Sequence, residues 1–136
     1  MIQIERIPPA TIHHEWSWMR PLLEPAIRHD KLKTVPQVWR ALCTHRMDAW
    51  VVNGEAQGLI VTSEAEGDFW INYCGGFVNG GPHQRVAIMR VIADHFETIA
   101  KDLGLAGVRV GGRDWSRVLT DYTPVTPGTT DMRKAI

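Results

Sequence analysis

The sequence predicts an α/β fold, one mixed, mostly antiparallel sheet with helices on both faces, and three observations carry that expectation. Residues 2 to 7 alternate apolar and polar strictly, the mark of a half-buried strand. Between residues 49 and 74 three β-rich runs are separated by turn signals, which reads as an antiparallel meander. A glycine-rich corner then leads into one long amphipathic helix and a short β-branched run, Val108-Arg109-Val110. A strand, helix, strand unit of this kind normally sets its two strands parallel.

Each element follows from its residues. Pro8-Pro9 end the first strand. Residues 11 to 30 read as a helix with Trp16, Met19, Leu22 or Leu23, and Ile27 on one face, which Pro21 and Pro25 should kink or divide. Residues 31 to 33 form a linker, and Thr34 caps a second helix from Val35 through Arg46, with Pro36 in its first turn. Its apolar face is Val35, Val38, Trp39 and Leu42. Residues 49 to 52 form a strand, Asn53-Gly54 signals a hairpin, residues 58 to 62 return, and residues 64 to 67 turn again into the strand from Phe69 to Cys74.

The long helix opens at Pro82 and stops at Gly104 as its C′ residue. Val86, Met89, Ile92 with Ala93, Phe96, Ile99 with Ala100, and Leu103 share one stripe. Arg90, Asp94, Glu97 and Lys101 lie opposite, so Arg90 with Asp94 and Glu97 with Lys101 are expected as i,i+4 ion pairs. Residues 114 to 121 read as a short helix capped by Asp114, and residues 129 to 136 as a last strand after Pro127-Gly128.

Composition bounds the function. A chain of 136 residues suits one domain spanning residues 1 to 136. Hydrophobic residues at 44% and charged residues at 22% match globular averages and exclude a disordered or fibrous chain. Fifteen basic and fifteen acidic residues give zero net charge, which argues against a nucleic-acid binder. No window approaches the roughly 18 apolar residues of a membrane span, and the first residues lack a signal layout. Two cysteines make no disulfide framework. A cytoplasmic protein is expected.

The order strand, helix, helix, three antiparallel strands, glycine corner, long helix, parallel strand, short helix, final strand resembles the GNAT acyltransferase superfamily over nearly the whole chain. The segments that carry the resemblance are residues 49 to 54 leading to 58 to 61, the strand from Trp70 to Cys74, and the tail from Asp114-Trp115 to Tyr122. In detail the order is most similar to small GNAT-like proteins of tailed bacteriophages. The resemblance implies a V-shaped opening between the strand at 69 to 76 and the strand at 107 to 111, with acetyl-CoA as co-substrate. It implies pantetheine along Phe77 and Val78, and phosphates among Asn79, Gly80, Gly81, His83, Gln84 and Arg85 at the helix N-terminus, where free N–H groups favour an anion. Backbone N–H groups near residues 77 and 78 would polarise the thioester carbonyl. The family fingerprint, Gln/Arg-x-x-Gly-x-Gly/Ala, is here the shorter Asn79-Gly80-Gly81-Pro82-His83-Gln84, in which Pro82 removes one donor.

The same resemblance offers Tyr122 as a thiolate-protonating acid, Asp68 or Glu66 as a water-mediated base, and Trp16, Trp39 and Trp70 as acceptor contacts. Each has a plainer structural reading: the glycines as bare turns, Tyr122 and the tryptophans as core aromatics, the two acids as turn solvation, and Cys74 as a small buried hydrophobe. No zinc ligand spacing is present, so no metal is expected. The function implied is N-acetylation of a small-molecule or protein amine. The alternative is a catalytically degenerate phage protein, a virion component or a module that binds a host protein, with a homodimer as a further option. An open crevice favours the enzyme, and one filled by Trp70, Phe77 or Trp115 favours the binder.

Overall fold

A computed structural model of the chain describes residues 2–54, 57–76, 82–111, 115, 118–128 and 130–136, except for the side chains of 82–85. Among these residues the strands are β1 (Gln3–Ile7), β2 (Asp48–Asn53), β3 (Gly58–Ala65), β4 (Asp68–Gly75), β5 (Gly107–Val110), β6 (Thr123–Pro124) and β7 (Met132–Ala135). The helices are α1 (Ile12–Asp30), α2 (Val35–Cys43) and α3 (Pro82–Asp102). One sheet has the order β1-β2-β3-β4-β5-β7-β6. β4 and β5 pair in parallel, and every other pair is antiparallel. This is the mixed α/β architecture the sequence predicts.

The sheet separates two apolar cores. On one face Ile92 and Phe96 of α3 pack with Phe69 and Ile71 of β4, Val108 and Val110 of β5, and Leu119. On the other, Met19, Leu23 and Ile27 of α1 and Val38 and Leu42 of α2 pack with Ala49, Leu59, Val61 and Tyr73. Burying side chains of this size stabilises by about 1.5–3 kcal/mol each, which holds both helical layers on the sheet. Among the described residues no helix is long and apolar enough to cross a membrane.

α1 runs unbroken through Pro21 and Pro25. The two prolines are four apart and both lie on the exposed stripe, so the hydrogen bonds they remove leave carbonyls facing water rather than core. α2 starts as predicted, with a capping box in which Gln37 N–H donates to Thr34 Oγ1 (3.3 Å) and Thr34 N–H to Gln37 Oε1 (2.8 Å). It stops at Cys43, three residues before the expected end. His45 takes the left-handed conformation (φ 58°), and Arg46 N–H returns to the Ala41 carbonyl (2.8 Å). Gly104 (φ 73°) ends α3 the same way, with Leu105 N–H on the Ala100 carbonyl (2.9 Å).

The tight hairpin sits elsewhere than expected. β2 and β3 pair Val52 with Gly58, so Asn53-Gly54 opens a longer loop. The two-residue turn is Glu66-Gly67, both at positive φ (57° and 80°), between the paired Ala65 and Asp68, a type I′ geometry. β6, unforeseen in the sequence, pairs with the start of β7. The helix expected over residues 114–121 lies partly outside the described residues; its described part forms turns, with Leu119 N–H on the Trp115 carbonyl (2.8 Å).

Glu97 departs most from expectation. It is buried, not solvent-facing, and its carboxylate meets Lys134 Nζ (2.6 Å), Arg90 (3.0 Å) and the Tyr122 hydroxyl (3.1 Å) instead of Lys101. A buried carboxylate needs such partners to offset desolvation. Arg90 does pair with Asp94 (2.7 Å) as predicted, and Arg90 and Lys134 together reach Asp121, whose carboxyl falls to about 2, mainly through Lys134.

A second clamp ties the sheet across its parallel pair. Arg133 of β7 donates twice to the buried Asp68 of β4 (2.8 and 2.9 Å), reaching over β5 at Gly107. A Cβ on Gly107 would stand 2.6 Å from the guanidinium, so glycine there is the condition for the reach. Hydrogen bonds from Arg133 hold the Asp68 carboxyl below its ordinary value. That depressed value makes the stabilisation present above the unfolded carboxyl's pKa of about 4 and lost as pH falls through the folded one. Arg133→Met should therefore lower urea stability at pH 7 by about 2 kcal/mol, less than for a fully buried pair because Arg133 is partly exposed. The gap from the native chain should begin to narrow near about pH 4 and close as pH falls through the depressed value of the folded Asp68; a gap independent of pH would contradict the clamp.

Candidate active site

The parallel ladder stops early. β4 pairs with β5 from Asp68/Gly107 to Ile71/Val110 and no further, although β4 continues to Gly75. The ladder ends where β5 ends, at Val110; on the other edge of β4 Val61 opposes Tyr73 and Thr62 opposes Ile71, leaving Asn72 as an extra residue. A bulge of this kind bends its strand and adds twist, and here it lies one residue past the last β4–β5 pair. It also reverses the alternation: Phe69 and Ile71 face α3, whereas Tyr73 faces α1. Beyond Ile71 the edge of β4 looks into a gap instead of onto a neighbouring strand.

α1 closes the gap from one side. Its backbone lies so close to β4 that a Cβ on Gly75 would stand 2.0 Å from the Leu22 carbonyl oxygen; only glycine admits this approach. That contact sets the last turn of α1 over the opening. The crevice is lined by Ala26, His29 and Asp30 of α1, by Asn72, Tyr73 and Cys74 of β4, and by Gly111 and Trp115. Trp115 is buried in the α3-side core and reaches this crevice, with its indole N–H on the Gly111 carbonyl (3.1 Å). The remaining space is about 10 Å³, room for about one water.

Two ionisable groups meet there. Burial, and then the neighbouring Asp30 carboxylate, push the Tyr73 hydroxyl far above its ordinary value, so it holds its proton at neutral pH. Asp30 accepts from Leu32 N–H (3.0 Å) through one oxygen. Asn72, at the bulge, donates to Ser63 Oγ (2.8 Å) and is held in place by it. The arrangement offers a proton donor, a carboxylate acceptor and a strand edge around one gap, the elements needed for general acid and base work.

Residues singled out in the sequence fall into three groups. Phe77, Val78, Asn79, Gly80 and Gly81 lie outside the described residues, and His83, Gln84 and Arg85 stand in the first turn of α3 with side chains outside the description. Tyr122 is buried with its hydroxyl donated to Glu97 under α3, and Asp68 is committed to Arg133 at the far end of β4 from the bulge. Both side chains thus have structural partners where they stand. Glu66 pairs with Arg109 at the hairpin (3.5 Å). Trp16 and Trp39 come together in a shallow cleft between α1 and α2. Trp70 is apart from them, stacked under the Arg109 guanidinium (4.0 Å) with its N–H on the Ala65 carbonyl (3.0 Å). Cys74 is buried in the core, as the plainer reading had it.

Tyr73 and Asp30 escaped notice in the sequence. The usable signal was Asn72, a residue type that strands disfavour, in the middle of an apolar run; it marks a bulge, and a bulge exchanges the faces of the residues after it.

The chain has the fold of known acetyltransferases. It is similar to an IAA acetyltransferase from Bacillus cereus ATCC 14579, with TM-score 0.60 and 18% identity over all of both chains. It is also similar to the PaiA N-acetyltransferase of Thermoplasma acidophilum in complex with coenzyme A, with TM-score 0.58 and 12% identity over 100% of this chain and 99% of that one. A GNAT-family acetyltransferase of Staphylococcus aureus Mu50 matches with TM-score 0.56 and 11% identity over 99% of each. No protein-family model and no curated protein sequence matches the chain.

Tyr122→Phe should separate structure from chemistry. Losing one hydrogen bond to a buried carboxylate should cost about 1–2 kcal/mol in denaturant unfolding while leaving coenzyme A binding, measured by calorimetry, unchanged. Weakened binding at unchanged stability would return Tyr122 to the site.

Proposed function

We propose that this chain is an acetyl-CoA-dependent N-acetyltransferase acting on an amine, with Tyr73 and Asp30 as its acid and base. One observation carries the reading: the bulge at Asn72 lies just past the last pair of the parallel ladder and its shift in register turns Tyr73 toward Asp30 at the gap there. The likeness in fold to acetyltransferases over the whole chain supports the reaction class.

The chemistry follows from these groups. The edge of β4 beyond Ile71 hydrogen-bonds the extended amide chain of the cofactor, as another strand would. The amine nitrogen attacks the thioester carbonyl carbon, forming the C–N bond. The C–S bond then breaks and the electron pair leaves on sulfur. Asp30, directly or through water, takes the proton the amine loses, and the Tyr73 hydroxyl gives one to the departing thiolate. Holding the two reactants together supplies much of the acceleration, and no covalent enzyme intermediate is required.

A second reading has its own observation. Trp115 occupies the gap and leaves about 10 Å³, the arrangement of a scaffold that no longer admits the cofactor. Such a chain would serve as a binding protein, in the manner of a phage virion component or a module that engages a host protein.

Titration calorimetry with acetyl-CoA on the native chain and on Trp115→Ala decides between them. Micromolar binding to the native chain is the expected result. Binding only to Trp115→Ala would support the closed scaffold, and heat from neither at millimolar ligand would contradict the acyl-CoA reading. In the active enzyme Tyr73→Phe should lower kcat about 100-fold with acetyl-CoA affinity unchanged. A loss confined to KM would contradict its role as the acid.

A further inference from the structure

We propose that the groove between α2 and β3 is a binding site for a small anion carrying carboxylate or phosphate groups and, on the transferase reading above, that it holds the acceptor. The groove measures about 530 Å³ and is lined by Lys33, Gln37, Arg40, Arg46, Met47 and Ser63 among others. Gln37 and Arg40 are spaced i and i+3 on α2, which places them on one face, and Lys33, just before the Thr34 cap, lines the groove beside them. Arg46 is brought to the same groove by the left-handed turn at His45.

The charges are uncompensated. Among the described arginines, Arg6, Arg20, Arg28, Arg90, Arg109 and Arg133 each have a carboxylate within 4 Å. Among these described arginines only Arg40 and Arg46 have none, and both, with Lys33, line a groove with no acid among its described lining residues. Like charges gathered without partners repel one another and raise the local anion concentration. The zero net charge of the chain confines this field to one pocket, which suits a small ligand and not a polyanion. A volume of this size is that of a small-molecule site.

One hydrogen bond links the walls of the groove and the gap. Ser63 lines the groove, and Ser63 Oγ receives the hydrogen bond from Asn72, which lines the crevice beside Tyr73. An anionic ligand seated on the arginines thus has Asn72 between itself and the Asp30–Tyr73 pair. An amine on that ligand is directed toward the proposed acid and base.

The test is an NMR titration reading the side-chain Nε–Hε signals of Arg40 and Arg46 in about 0.15 M salt. The probes are inorganic pyrophosphate and citrate, with spermidine as the cationic control. The two anions separate phosphate from carboxylate preference. The expected result is saturable shifts of both signals with a Kd near or below about 1 mM for one of the anions and none for spermidine. A double variant, Arg40→Gln with Arg46→Gln, read through the backbone amides of residues 37 to 47, should bind at least tenfold more weakly while melting within a few degrees of the native chain, since both side chains are exposed. Unsaturable shifts, equal affinity in the double variant, or binding of spermidine would overturn the proposal. Anion binding here without any heat from acetyl-CoA would keep the groove and remove the transferase reading. Acetyl-CoA saturating the same two signals and displacing pyrophosphate would overturn the assignment of the groove to an acceptor.

Discussion

The parallel pair of β4 and β5 is fixed at one end and released at the other, and the rest of the fold depends on that contrast. Asp68 and Arg133 join β4 to β7 across β5 where the ladder begins. Four residues further on, the ladder has ended with β5, and β4 is bulged at Asn72. A continuous ladder would leave no gap and would keep Tyr73 on the α3 side with Phe69 and Ile71. One inserted residue therefore sets the orientation of Tyr73 beside the opening. The close approach of Leu22 to Gly75 adds the third element, because it fixes α1 at the height where Asp30 meets Tyr73.

The distribution of charge separates what holds the protein together from what is left for a ligand. Buried carboxylates are saturated: Asp68 by two bonds from one guanidinium, Glu97 by three donors from α3, the segment after β5 and β7. These pairs offset a desolvation cost and fix the register of β7 more than they add net stability. Tyr122 belongs to this set, and its proximity to Glu97 explains why a tyrosine late in the chain is present without touching the gap. The uncompensated cations lie instead around α2, on the face of the sheet that carries Ser63 and Asn72.

Local signals in the sequence were legible and distant ones were not. The alternation of residues 2 to 7, the Thr34 capping box and the Gly104 stop each depend on neighbours a few residues away, and each element formed where those residues place it. The early end of α2 was hidden because a histidine, not a glycine, adopts the left-handed turn. Glu97 looked solvent-facing because its opposite-charge neighbour in sequence is Lys101, whereas its partners are 7, 25 and 37 residues distant. Asn53-Gly54 carried the stronger hairpin motif, yet the bend went to Glu66-Gly67, where the paired strands set the loop length. At the site, the opening between residues 69–76 and 107–111 was anticipated, and its position matches the end of the ladder. The place of Tyr73 beside it was not, because the bulge that turns Tyr73 to the α1 side exchanges strand faces and defeats period-two reading.

A crystal structure of the chain with coenzyme A bound tests the central claim most directly. The account predicts the thiol sulfur in the gap beyond Ile71, within about 3.5 Å of the Tyr73 hydroxyl, the cofactor's amides on the edge of β4, and the Trp115 indole displaced from between the strands. Coenzyme A lying elsewhere, with Trp115 still in the gap and Tyr73 beneath it, would contradict the account.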